Sequence, residues 1–322
     1  MAVFTKINKR DMLEIEKNFN LGRIKNFHGI KKGIENTNYF IEFRKLKTIL
    51  TIFEKRVSTK DLPFFMKLMY GLSNLNIVCP KPIKSKKGSY LFKVKNKNAC
   101  IVTFLKGNDK KQLTPSDCKQ IGKNVAELHK ATKKLKINRK NSLSIKELPK
   151  ILKKIDNRIN KFSRNLKVSM NLDLKNLSIY WPKNLPKGVI HSDLFIDNIF
   201  FYKKKFYGFI DFYFSSTDFY AYELATCINA LCFDKRKKKF ILNKKKSRNL
   251  IKGYETKRKL TKNEKNYFNT LCKGSALRYL ITRSYDYLNT PKNAILNKKN
   301  PKEYLDKLNF HKKILSFNQY LK

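Results

Sequence analysis

Residues 188–214, GVIHSDLFIDNIFFYKKKFYGFIDFYF, restrict the fold more than any other part of the chain. They set one His, three Asp and one Asn inside an apolar, aromatic run that reads as sheet and core. A carboxylate taken out of water is costly unless it is paired or meets a cation. Residues 199–202 and 206–210 are β-prone and flank a Lys tripeptide, which predicts a tight hairpin. With the turn centred between Lys204 and Lys205, Phe201 faces Gly208, Ile199 faces Ile210, and Asn198 faces Asp211. Opposed residues have Cβ atoms about 4.5–5.5 Å apart. An amide and a carboxylate then meet at the open end, where the loop carrying Asp193 enters.

Oxygen ligands converging in this way suit magnesium, which proteins hold by one or two carboxylates together with a substrate's phosphates. That chemistry is phosphoryl transfer, where catalysis is positioning plus charge neutralisation. The spacing His191-x-Asp193-x-x-x-x-Asn198, with Asp211 opening a later Asp-Phe-aromatic turn, has the form of the kinase catalytic-loop and metal-binding motifs. On that template Asp193 accepts the proton of the attacking hydroxyl, Asn198 and Asp211 hold Mg2+, and His191 braces the loop. The plainer alternative has these acids capping turns at strand ends. Asp197 has no role in the template and reads as a loop residue. His-x-Asp alone is a weak signal; the four residues at this spacing are a strong one.

The chain has 322 residues, enough for two lobes. Residues 1–106 read as strand-rich with one helix. NYFIEF and KTILTIFEKR form a hairpin through RKLK, and DLPFFMKLMYGLSNLN is a helix capped from Ser58, Thr59 or Asp61. SYLFKV and ACIVTFL add two strands before a hinge at 104–107. Residues 107–322 turn helical. TPSDCKQIGKNVAELHKAT starts at a Thr114 cap with Pro115 in the first helical position. Between 133 and 185 only 146–163 reads as helix. FYAYELATCINALCF is helical, 235–248 is a Lys-rich linker, and helices follow near 261–288 and 301–320. The expected class is α+β: a small antiparallel-sheet N-lobe and a larger, mainly helical C-lobe.

No stretch approaches the roughly 18 apolar residues of a membrane span. The N-terminus lacks the continuous apolar segment of a signal peptide. A cytoplasmic chain with no membrane partner is expected. The formal net charge of +49 would draw polyanions through long-range electrostatics. Yet only 12 of the 73 basic residues are Arg, and they are dispersed among abundant Asn and Ile. AT-rich coding drift gives that bias and leaves a solvated Lys coat, whereas specific phosphate reading favours Arg forks. No specific nucleic-acid partner is expected. The six Cys form no CxxC pair and the four His do not cluster near them, so they read as buried thiols.

At these residues the chain resembles the aminoglycoside phosphotransferase / choline kinase superfamily, whose fold is bilobal and protein-kinase-like. More narrowly it resembles the bacterial homoserine kinase branch. The supporting segments are GIENTNYFI (33–41), LTIFEKR (50–56), DLPFFMKLM (61–69), GVIHSDLFIDNIFF (188–201), GFIDFYF (208–214), YELATCINALCF (222–233) and LRYLITRSYDY (277–287). The resemblance implies ATP and Mg2+ as cofactors and transfer of the γ-phosphate to the hydroxyl of L-homoserine, a step in threonine synthesis. It also implies a first-lobe loop over the nucleotide, here carrying Gly33, Asn36 and Asn38. One position departs from the pattern. Kinase-like folds place a basic residue mid-strand for the phosphates, but Thr51 stands there, leaving Lys55 at the strand's end or another Lys. The alternative for Lys55 and Arg56 is a solvated surface pair.

Homoserine is a zwitterion, so its site calls for an Arg fork and an acid. Arg283 or Arg278 suits the carboxylate, and Asp218 or Glu223 suits the ammonium. Arg283 alternatively pairs with Asp286, three residues on in the same helix. Choline or ethanolamine, methylthioribose, an aminoglycoside or a protein hydroxyl are competing acceptors. A basic nucleic-acid-binding protein on a degenerate kinase fold would lack one of Asp193, Asn198 and Asp211, and all three are present. The sequence sets no oligomeric state.

Overall fold

The computed structural model describes residues 4–30, 36–54, 57–237, 239–290 and 299–322. Gly33 and Lys55 lie outside the described residues. The chain parts into two compact units, one of residues 1–107 with 207–213, the other of residues 108–206 with 214–322.

In the first unit, helix α1 (Lys9–Asn18) starts at a capping box of Asn8 and Asp11. Strands β1 (Ile24–Gly29), β2 (Thr37–Phe43) and β3 (Lys47–Ile52) precede helix α2 (Leu62–Asn74), and β4 (Leu91–Val94) and β5 (Lys97–Thr103) follow it. The five strands form one sheet in the order β1-β2-β3-β5-β4, every neighbouring pair antiparallel. Burial in β2 alternates strictly, the period-2 signature of a sheet with one face on a core. Tyr39, Ile41, Phe43, Leu50, Ile52 and Ile101 pack there with Met12, Ile15 and Phe19 of the α1 region. The Tyr213 ring stands edge-on to Phe53 and Phe65, with its hydroxyl 3.5 Å from Cys100 Sγ.

The second unit starts with helices α3 (Pro115–Lys134), α4 (Leu148–Leu152) and α5 (Leu166–Tyr180). Strands β6 (Lys187–Ile190) and β7 (Ile199–Tyr202) come next; β8 (Lys205–Phe209), paired with β7 in a ribbon, ends among the residues of the first unit, and β9 (Ser216–Phe219) follows. Helix α6 (Tyr220–Leu231), hairpin β10 (Phe233–Arg236) and β11 (Lys239–Leu242), and helices α7 (Lys244–Glu255), α8 (Lys262–Asn289) and α9 (Lys302–Lys312) complete it. Helix α3 begins as its sequence predicts, with Thr114 and Asp117 in a capping box and Pro115 in the first turn. A core of Leu148, Leu152, Met170, Leu174, Leu277, Leu280, Tyr304 and Leu308 joins α4, α5, α8 and α9. Helices α3 and α7 cross at two glycines. A Cβ on Gly122 would lie 2.0 Å from the Leu250 carbonyl oxygen, and one on Gly253 2.0 Å from that of Lys119.

Four expectations need correction. The ribbon turns on Lys203 and Lys204, both in the left-handed region (φ +48° and +64°), as a two-residue type I′ turn requires. That register does not set Asn198 opposite Asp211, which stands beyond the end of β8. The stretch at 235–248 is no linker, because it holds β10, β11 and the start of α7. Between 133 and 185 the long helix is α5, not 146–163, where α4 and a 3-10 turn at Asn157–Phe162 stand. The first unit carries α1 besides α2.

Candidate active site

In the second unit, β6 and β9 pair antiparallel, with Gly188 opposite Asp218 and Ile190 opposite Ser216. This pairing fixes where the chain leaves β6 to enter His191, Ser192 and Asp193. Ser192 adopts φ +69°, a conformation costing a non-glycine residue on the order of 1–3 kcal/mol unless its surroundings enforce it. Here they do. The Ser192 N–H donates to Glu223 Oε1 (2.6 Å), and its hydroxyl lies 2.9 Å from that of Ser216. Its carbonyl accepts from Arg278 NH1 at 2.9 Å, with the Tyr279 hydroxyl 3.1 Å away. His191, 1% exposed, donates its backbone N–H to Glu223 Oε2 (3.1 Å).

Asp193 emerges from this clamped loop. The Tyr279 hydroxyl lies 3.1 Å from its Oδ1. Burial pushes its carboxyl above the ordinary carboxylate range, against the pull of Arg278, His191, Tyr279 and Lys299 toward the charged form. Asn198 closes a 3-10 turn, and its amide Nδ2 donates to the Asp193 carbonyl at 2.8 Å. Among the described residues both of its side-chain hydrogen bonds use Nδ2, which leaves Oδ1 as an acceptor. In the first unit, Asp211 is exposed and holds φ +62° between β8 and the 3-10 turn Phe212–Phe214.

Other expected site residues have different surroundings. Glu223 is 0% exposed and accepts from His191, Ser192 and His129. Burial would raise its pKa, but the hydrogen bond from His129 and the neighbouring donors hold the carboxyl below its usual range. Both oxygens are therefore engaged in the protein, not offered to an ammonium. Arg278 is likewise spent on the loop, with its guanidinium 4.7 Å from the Tyr279 ring. Arg283 pairs through NH1 with Glu303 Oε2 at 2.5 Å, where Asp286 was the expected alternative, and lies 4.4 Å over Tyr304 and 5.8 Å from Phe195. Among the described residues its hydrogen bond is made through NH1. Asp218 accepts from Asn141 Nδ2 at 2.6 Å, and burial raises its pKa despite that bond.

In the first unit, Asn38 faces Thr51 across the β2–β3 pair, and the Thr51 hydroxyl donates to Asn38 Oδ1 at 2.8 Å. Thr51 thus ties the sheet where a basic residue would reach phosphates. Asn36 Oδ1 accepts from Glu54 N at 3.4 Å. Sequence reasoning missed Ser192, Ser216, Tyr279 and His129. Only Tyr279 had a signal, standing beside Arg278 in the segment that carries the family resemblance. Among the described residues no group of three or more His, Cys, Asp and Glu is arranged to hold a metal ion.

The model of the phosphotransferase enzyme family matches residues 26–244. A homoserine kinase of Allorhizobium ampelinum is 39% identical over 320 residues, covering 99% of each chain. One from Xanthobacter autotrophicus is 38% identical over the same shares. Among solved structures, an amicoumacin kinase superposes with a TM-score of 0.71 at 13% identity, covering 95% of this chain and 92% of its own. Choline kinase from Cryptosporidium parvum gives 0.63 at 15% identity, covering 98% and 94%. The two structures share the α+β fold at identities that speak for fold alone. The family match over residues 26–244 and relatives 38–39% identical over 99% of the chain place it in the phosphotransferase enzyme family.

Proposed function

We propose that the chain is an ATP-dependent kinase that phosphorylates the side-chain hydroxyl of L-homoserine, giving O-phospho-L-homoserine in threonine biosynthesis. The observation that carries this is likeness over 99% of the chain to curated homoserine kinases. Asp193 is the base that accepts the hydroxyl proton, and its raised pKa brings it nearer the range where a carboxylate base works well. Asn198 and Asp211 are the Mg2+ ligands. The free Oδ1 of Asn198 and the exposed Asp211 carboxyl are hard oxygen donors, the kind that suits this ion. Bound Mg2+ would neutralise charge on the transferred phosphoryl group.

Gly33, Asn36, Asn38 and Lys55 belong to the nucleotide side. Arg283, whose hydrogen bond to Glu303 uses one of its five N–H donors, fits the homoserine carboxylate, and Asp218 fits the ammonium. His191, Glu223 and Arg278 serve by holding the loop. Of the aromatics that could cage a quaternary ammonium, Phe212, Tyr213, Phe214, Phe219 and Tyr220, the Tyr220 ring already carries the Arg258 guanidinium at 4.9 Å. No helix among the described residues is long and apolar enough to cross a membrane. The substrates, ATP and a free amino acid, suit a cytoplasmic setting. Turnover of homoserine, choline, ethanolamine, methylthioribose, an aminoglycoside and a protein substrate tests the reading. Homoserine is expected to give the highest kcat/KM; equal rates across the panel would refute it.

A further inference from the structure

Behind the catalytic loop lies a set of buried polar groups that the proposed reaction does not use. His129 of α3 places Nε2 2.8 Å from Glu223 Oε2 and Nδ1 2.8 Å from the Tyr254 hydroxyl. Arg258 NH1 reaches that hydroxyl at 3.2 Å, while its NH2 donates to Glu264 at 2.8 Å. His129, Glu223, Tyr254 and Glu264 are each at most 1% exposed.

The proton positions follow from the carboxylate. Glu223 is held in its charged, accepting form, so His129 donates to it from Nε2. With the ring neutral, Nδ1 accepts from the Tyr254 hydroxyl, whose oxygen accepts in turn from Arg258. The Tyr220 ring lies 4.6 Å from the imidazole, with the Arg258 guanidinium 4.9 Å from Tyr220 on the same side chain network. Burial disfavours a charged His129, which agrees with a neutral ring locked as a donor. Without that bond the hydrogen bonds of Glu223 among the described residues reduce to those from the backbone N–H groups of His191 and Ser192, and its torsion loses a restraint. Those same N–H groups hold Ser192 at φ +69°, so the aim of Asp193 depends on how Glu223 is held.

We infer that His129 is a positioning residue for phosphoryl transfer: it orients Glu223, Glu223 fixes His191 and Ser192, and these set the place of Asp193. Its kinetic consequences rest on the function proposed above. The structural consequence, protection of two backbone amides, does not.

The test compares His129→Leu, His129→Gln and Tyr254→Phe in the full chain, by steady-state kinetics with ATP and homoserine and by amide hydrogen exchange. Gln offers an amide N–H to Glu223 and an amide oxygen to Tyr254. His129→Leu is expected to lower kcat by about 10–100-fold, the usual scale for losing a group that orients a site residue, with both KM values within about twofold. Exchange at the His191 and Ser192 amides should accelerate locally. His129→Gln should recover most of both, and Tyr254→Phe should fall between. A folded His129→Leu variant with near-wild-type kcat, or a His129→Gln variant as impaired as it, overturns the inference. So does faster exchange spread over the whole unit. If His129→Leu does not fold, Tyr254→Phe decides: lower kcat at constant KM with faster exchange at 191–192 supports the inference, and wild-type values overturn it. A wild-type chain that phosphorylates no homoserine would sink the proposed function and leave the exchange measurements to decide this one.

Discussion

Asp193 sits where two demands conflict, because the proposed reaction needs its charge and the desolvation of its carboxyl opposes that charge. A carboxyl whose folded pKa is raised contributes stability that is present below its unfolded pKa of about 4 and lost as pH rises through the folded value. Asp193→Asn keeps the shape and removes the charge. It should therefore raise the thermal midpoint at pH 7, and the gain should vanish near pH 3, where the wild-type carboxyl is neutral in both states. Turnover should fall by about 10²–10⁴-fold, the range of a lost general base. Calorimetry at the two pH values checks the first part, and a variant less stable at pH 7 would deny that burial governs Asp193. The acid limb of wild-type kcat/KM should likewise lie above the ordinary Asp range. The structure joins Asp193 and Asn198 by a hydrogen bond, and that they belong to one loop was legible in the sequence from their spacing. Ser192 was not, since its role lies in a backbone torsion. Glu223 was read as a substrate ligand because a buried acid looks the same in sequence whether it meets an ammonium or two backbone N–H groups.

An element with a cap and an apolar stripe, such as α3, was readable from residue order, whereas α5 was hidden by its own surface. It buries Leu166, Met170, Leu174 and Leu177 yet exposes Val168, Leu172, Ile179 and Tyr180, so apolar residues appear all round and no stripe stands out. The β10–β11 hairpin was masked by its lysines, since only Leu242 is buried among its described residues. Glycines spaced for a close helix crossing leave no pattern of their own, although Gly122 and Gly253 fix how α3 meets α7. Gly122→Ala should destabilise the protein by about 1–3 kcal/mol, the scale of overpacking, despite the better helix propensity of Ala. Urea unfolding reads this directly, and an unchanged or raised midpoint would show that the two helices part without cost. On α9, Glu303 lies between Arg283 and the 2%-exposed Lys307, each at 2.5 Å. Glu303→Gln leaves two cations facing one another and should cost about 3 kcal/mol, the low end for breaking a buried pair, because Glu303 keeps some exposure. A loss below about 1 kcal/mol in the same unfolding assay would mean that solvent already screens the triad.

Over the whole molecule the formal charge of +49 is the quantity that structure and chemistry leave least attached to the reaction. Two kinds of basic residue can be told apart in the fold. Arg258, Arg278 and Arg283 are buried or nearly so and hold carboxylates, carbonyls and aromatic rings. Lys residues such as Lys140 and Lys150, about four-fifths exposed, meet acids only at the surface, where such pairs are worth about 0–1 kcal/mol. A coat of this kind attracts any polyanion by releasing its counterions, without reading sequence. The chain should then bind mixed-sequence DNA and heparin alike at 50 mM salt, with affinity falling by about 10³-fold or more by 200 mM if six or more phosphates are neutralised. Homoserine KM should change little over that range, since Arg283 and Asp218, proposed to hold it, are mostly withdrawn from solvent and screened less than surface charge. Fluorescence anisotropy with DNAs of unrelated sequence, run beside the kinase assay, gives both quantities. A preference of more than about tenfold for one sequence at 150 mM salt (~1.4 kcal/mol) would mean the lysines form a built surface and not a solvated coat.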